Sequence, residues 1–66
     1  MSKDTIEITE RQNDVLDLIL KGYSNREIAH TLVISLDTVK AHLQTMFRKF
    51  DVKSRSQLIL KALGKI

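Results

Sequence analysis

Ser24-Asn25-Arg26-Glu27-Ile28-Ala29-His30-Thr31-Leu32-Val33-Ile34-Ser35-Leu36-Asp37-Thr38-Val39-Lys40-Ala41-His42-Leu43 decides how this chain folds, because it contains two helix starts eleven residues apart. Ser24 followed three residues later by Glu27 is a capping box, in which each side chain satisfies an N–H that the first helical turn leaves without a partner. Ser35 is the second N-cap, with Asp37 in the first turn, where the helix dipole favours a negative charge. Two turns of helix (25–32) and a short connection, Val33-Ile34, fit between the caps, and neither Gly nor Pro interrupts either helix. A short helix, a tight turn and a longer helix form the helix-turn-helix pattern, whose second helix can enter the major groove of DNA.

The faces of these helices follow from a turn of about 100° per residue. In the first, Ile28, Ala29 and Leu32 form the buried side, and Ala29 supplies the small group that two crossing helices need at their closest contact. At the turn, Val33 stands where many such motifs have Gly. A β-branched residue is strained at positive φ, so the turn is expected to avoid the left-handed region at Val33, with Ile34 plugging the core. The second helix runs over about 36–50. Val39, Leu43, Met46, Phe47 and Phe50 fall in one arc of roughly 100° and form its core face. The opposite side carries Asp37, Lys40, Ala41, Gln44, Thr45 and Arg48. Such a mixed face suits base edges: Lys donates to guanine, an amide pairs with adenine, and a methyl group meets that of thymine. An ordinary solvated helix face is the plainer reading of the same residues.

Working outward, Thr9 with Gln12 is a capping box for a helix over about 9–21. Val15, Leu16, Leu18, Ile19 and Leu20 form its apolar stripe, and Glu10, Arg11, Asp14, Asp17 and Lys21 face water. Lys21-Gly22 ends it, with a cation at the negative dipole end and then a residue free to turn left-handed. Residues 1–7 are polar apart from Ile6 and read as a flexible end or linker remnant. After Asp51, a non-glycine residue that tolerates the left-handed region, Ser54 with Gln57 reads as a further capping box, opening a helix over about 55–64. Leu58, Ile59, Ala62, Leu63 and Ile66 span an arc of about 140° there, and Leu60 widens it to about 200°. That is broader than one core face needs, so Leu60 and Leu63 are candidates for contact with a second copy of the chain. The fold class is all-α, a four-helix bundle with its helix-turn-helix at 24–43 in a domain spanning 8–66.

With 66 residues and no cysteine, a bundle this small has neither disulfide nor thiolate metal site to staple it. The net charge of +3 is uneven: residues 1–34 hold four Lys/Arg against six Asp/Glu, whereas 35–66 hold seven against two. A basic half that begins with the second helix of the motif suits a polyanion. No apolar run approaches the roughly 20 residues that span a bilayer, so a cytoplasmic location is expected. His30 and His42 alone make a poor metal set, neither glycine belongs to a phosphate loop, and no nucleophile, base and orienter can be assembled. Neither an enzyme nor a cofactor is expected.

Ile8-Thr9-Glu10-Arg11-Gln12, Gly22-Tyr23-Ser24-Asn25-Arg26-Glu27-Ile28-Ala29, Ile34-Ser35, Thr38-Val39-Lys40-Ala41-His42 and Arg48-Lys49-Phe50-Asp51-Val52-Lys53-Ser54-Arg55 together resemble the LuxR/NarL/GerE family of bacterial transcription regulators. The resemblance covers about 8–62. Gln12, Phe50 and Asp51 depart from it, where the family commonly has Glu, Leu and Gly or Asn, and each keeps the local physics. The resemblance implies a domain that binds an inverted-repeat DNA site, often as a dimer through its last helix. It implies base contacts from Lys40, Ala41 and Gln44. Phosphate contacts fall on Ser24, Asn25 and Arg26, on Thr38, His42 and Arg48, and on Lys53 and Arg55. RNA polymerase is a candidate further partner. Most members carry an upstream receiver or sensor domain, so the chain is either an excised effector domain or a stand-alone regulator. The rival readings are a promoter-recognition domain of a sigma factor, and a small helical protein-interaction module that never meets DNA.

Overall fold

A computed structural model describes residues 6–66, which form four helices: α1 (Glu10–Leu20), α2 (Asn25–Leu32), α3 (Leu36–Phe50) and α4 (Arg55–Ala62). Each begins on the hydroxyl residue that the sequence marks. Thr9, Ser24, Ser35 and Ser54 are extended and accept a hydrogen bond from the backbone N–H three residues on. The boxes at Thr9–Gln12 and Ser24–Glu27 are reciprocal. The one expected at Ser54 is only half formed, because the Gln57 Oε1 accepts from the Lys53 N–H (2.9 Å) and not from that of Ser54.

All four helices end in the same way, with a residue at positive φ whose follower donates back across five residues, the Schellman arrangement. Gly22 (φ 92°) and Gly64 (φ 76°) take this position after α1 and α4, where the N–H groups of Tyr23 and Lys65 reach the carbonyls of Leu18 (3.0 Å) and Leu60 (2.8 Å). Gly64 ends α4 at Ala62, short of the expected 64. Asp51 closes α3 at φ 57°, ψ 50°. Val33 closes α2 at φ 57°, ψ 49°, contrary to the expectation that it avoids the left-handed region. The reason lies in the next residue. Only a left-handed Val33 lets the Ile34 N–H reach the Ala29 carbonyl (3.0 Å) while the Ile34 side chain packs against the core. Two orphan carbonyls and a half-buried isoleucine packed on the core outweigh the strain of one β-branched residue.

α3 lies at the centre and packs against each of the other helices. Its Val39, Leu43, Met46 and Phe50 are buried against Val15, Leu16 and Ile19 of α1, Ile28 of α2, Val52 of the connection after α3, and Leu58 of α4. Phe47 is half-buried at the edge of this core, and Ala29 packs against it from α2. Two apolar readings shift. Leu20 is exposed at the end of α1, about 140° round the helix from the fully buried Val15, whereas Ile6 is half-buried and packs on the core. The remainder of the expected polar end, residues 1–5, lies outside the described residues.

Candidate nucleic-acid interface

The burial of one side of α3 fixes what the other side presents. Lys40, Ala41, Gln44, Asp37 and Arg48 are exposed, and Thr45 is half-buried at the margin. Fifteen residues make α3 a rod of about 22 Å, and a helix with its side chains is about 10–12 Å across, close to the width of the B-DNA major groove. The face offers a cation, a methyl group and an amide, as base-edge readout requires. Its Ser35 cap is reinforced, with Ser35 Oγ and Thr38 Oγ1 2.8 Å apart, so the Thr38 hydroxyl shares its hydrogen bonding with the cap.

The residues expected to meet phosphate fall into two sets. Ser24, Arg26, Thr38, Arg48 and Lys53 are exposed, and His42 is half-buried on α3. Ser24 has its N–H bonded to Glu27 Oε1 (2.8 Å), and its hydroxyl oxygen accepts from the Glu27 N–H (3.1 Å), which leaves the hydroxyl proton for an outside acceptor. Asn25 and Arg55 behave differently. Arg55, half-buried at the start of α4, donates from Nη1 to Asn25 Oδ1 (2.7 Å) and from Nη2 to the Tyr23 carbonyl (2.6 Å). Its guanidinium is thus engaged inside the protein. Asn25, Lys40, Gln44 and Arg55 nonetheless share one open groove, floored by Leu43 and Phe47, so the start of α2 and the exposed side of α3 form a continuous surface.

A second long-range tie escaped the sequence reading. Gln12 is buried, and its Oε1 accepts from the Thr9 N–H (3.0 Å) and from Lys49 Nζ (3.2 Å), joining the start of α1 to the last turn of α3. The local signal, Gln three residues after Thr, revealed the capping role alone; the partner 37 residues away has no local signature. Leu60 on α4 and Leu63, the residue that caps its C-terminal end, are 42% and 55% exposed. Among the described residues, no group of His, Cys, Asp and Glu could hold a metal ion, and no helix is long and apolar enough to cross a membrane.

Residues 7–62 match the family described as bacterial regulatory proteins, luxR family. The putative HTH-type transcriptional regulator YhjB of Escherichia coli K12 is 44% identical over 55 residues, which are 83% of this chain and 28% of that protein. The response regulator VraR of Staphylococcus aureus is also 44% identical over 55 residues, 83% of this chain and 26% of its own. Among solved structures, the Vibrio cholerae VqmA dimer, a LuxR-type receptor, superposes with a TM-score of 0.89 at 35% identity over 98% of this chain and 29% of that one. A chain from the complex of the anti-activator RapF with the ComA DNA-binding domain gives 0.83 at 33% identity, over 86% and 98%. The chain therefore spans a little over a quarter of the length of the curated relatives it matches. The match sets aside the sigma-factor reading and any enzymatic one, and it makes the chain a helix-turn-helix domain of the kind found in DNA-binding transcription regulators. With its four helices, its capped motif and this match over most of its length, the chain belongs to the luxR family of bacterial regulatory proteins.

Proposed function

We propose that this domain binds a specific inverted-repeat site on double-stranded DNA as a homodimer, with α3 in the major groove, and so regulates transcription in the bacterial cytoplasm. The observation that carries the reading is the polarity of α3: Val39, Leu43, Met46 and Phe50 are buried, and this turns Lys40, Ala41 and Gln44 out to solvent. In this reading those three meet base edges. Ser24, Asn25 and Arg26 at the start of α2, Thr38, His42 and Arg48 along α3, and Lys53 beyond it fix the register on the phosphates. Positive charge concentrated after residue 35 supplies the non-specific attraction on which base readout is built.

A homodimer through α4 follows from its exposed Leu60 and Leu63. Two copies related by a twofold axis would bury this apolar strip and place two α3 helices on half-sites about one helical turn apart. VqmA, with the same domain fold, is described as a dimer and in complex with DNA. RNA polymerase is the candidate partner once the domain sits at a promoter.

Gel-shift titration at two salt concentrations tests the reading against a protein-interaction module. Binding that weakens steeply with salt, and that one duplex resists better than bulk competitor DNA, is the expected result. No shift at low salt would leave the interaction module as the surviving reading.

A further inference from the structure

Resting on the DNA-binding reading above, we infer that Arg55 is a positioning residue, which aims the amide of Asn25 so that its NH₂ faces the DNA backbone. A guanidinium has five donors and no acceptor. The Asn25 atom 2.7 Å from Arg55 Nη1 is therefore the carbonyl oxygen, and the Nδ2 end must point the other way. An Asn at a phosphate contact is useful only in that orientation, since the reverse places a lone pair against an anion. Nothing else bonded to the Asn25 side chain among the described residues sets its direction, and rotation about its last bond is otherwise broad.

The second half of the fork reinforces the first. Arg55 Nη2 holds the carbonyl of Tyr23, the residue before the Ser24 cap, at 2.6 Å. One planar group therefore fixes both the backbone leading into α2 and the first helical side chain. α2 packs mainly on α3 and shares no extended packing with α4, so the fork is what ties the start of α4 to the start of α2 across 30 residues of sequence. Those two helix starts carry Ser24, Asn25 and Arg26 on one side and Lys53 on the other, and a phosphate clamp depends on their separation. Arg55 in this role does not itself touch the nucleic acid. Lysine cannot replace it: a single ammonium has the charge but lacks the two-pronged planar geometry.

Binding to a random-sequence 30-base-pair duplex is measured by fluorescence anisotropy, because a backbone contact is felt on every sequence, and thermal unfolding of each variant runs alongside. Arg55→Lys is expected to weaken binding about three- to tenfold, the worth of one ordinary hydrogen bond, with the salt slope unchanged because the charge remains. In the Asn25→Ala background that penalty should shrink to the smaller part that comes from the Tyr23 tie alone. Wild-type affinity in Arg55→Lys would make Arg55 only a charge, and an equal penalty in both backgrounds would make it only a structural tie; either result overturns the inference. Should Arg55→Lys fail to fold, Asn25→Asp decides. It keeps an acceptor for Arg55, so the melting temperature holds or rises, but it removes the donor, and affinity should fall at least tenfold; undiminished binding refutes the role. A wild-type domain that binds no duplex at all would sink the DNA-binding reading itself, a result distinct from each of these.

Discussion

Replacing Val33 by glycine isolates the strain stored in the turn of the motif. Val33 is 88% exposed, so the substitution removes almost no buried apolar surface. It sits at φ 57°, ψ 49°, a conformation that costs an L-residue about 1–2 kcal/mol and a β-branched one toward the upper end. Glycine removes that cost but gives the unfolded chain more freedom, an opposing effect of about 0.4–1 kcal/mol. The two backbone bonds that depend on the conformation, Val33 N–H to His30 and Ile34 N–H to Ala29, stay in place. The difference favours the folded state by about 1 kcal/mol. For a domain of this size that raises the melting temperature by about 4–8 °C. Thermal unfolding followed by circular dichroism at 222 nm measures it, with Val33→Ala as the control. Alanine keeps a Cβ in the left-handed region and should recover less than half of the gain. A melting temperature for Val33→Gly equal to or below the wild type would refute the reasoning, because it would mean that the turn relaxes without cost around valine.

Three further outcomes follow from the surfaces described. Lys40→Ala and Gln44→Ala should each cost roughly 1–3 kcal/mol on the preferred duplex and relax the base preference at one position; equal losses on random DNA in the same competition assay would remove them from direct readout. Lys53→Ala should weaken binding to every sequence and flatten the plot of log affinity against log salt by about one phosphate contact, and an unaltered slope would take Lys53 off the backbone. Leu60→Lys with Leu63→Lys should leave the helical content intact while shifting sedimentation toward monomer and reducing cooperativity on a two-half-site duplex. Unchanged sedimentation of a dimeric wild type would move the interface away from α4.

What could be read in the sequence was whatever is decided within one helical turn. The starts of α1, α2, α3 and α4 were legible because Thr9, Ser24, Ser35 and Ser54 each bond an N–H only three residues away. The core side of α3 was legible because its length gives the 3.6-residue period four turns in which to declare itself. Helix ends were harder. Gly22 and Asp51 announce a left-handed residue by their own chemistry, but Val33 adopts one against its preference, because Ile34 must reach a core that local spacing does not show. The candidate site divides along the same line. Lys40, Ala41 and Gln44 stand on the exposed face by periodicity alone. Arg55 reads locally as one more cation in a basic segment; only the folded chain brings Asn25 and the Tyr23 carbonyl to its guanidinium from 30 and 32 residues away. Lys49 and Gln12 repeat the lesson at the other end of α3.

The most direct test of the account is iterative selection of bound duplexes from a random pool by the purified domain, followed by sequencing. The account predicts enrichment of two inverted half-sites with centres about one helical turn apart, each carrying a short block of fixed bases. A pool that stays random after repeated rounds, although the domain retains its helical fold, would contradict the claim that the exposed side of α3 reads DNA sequence.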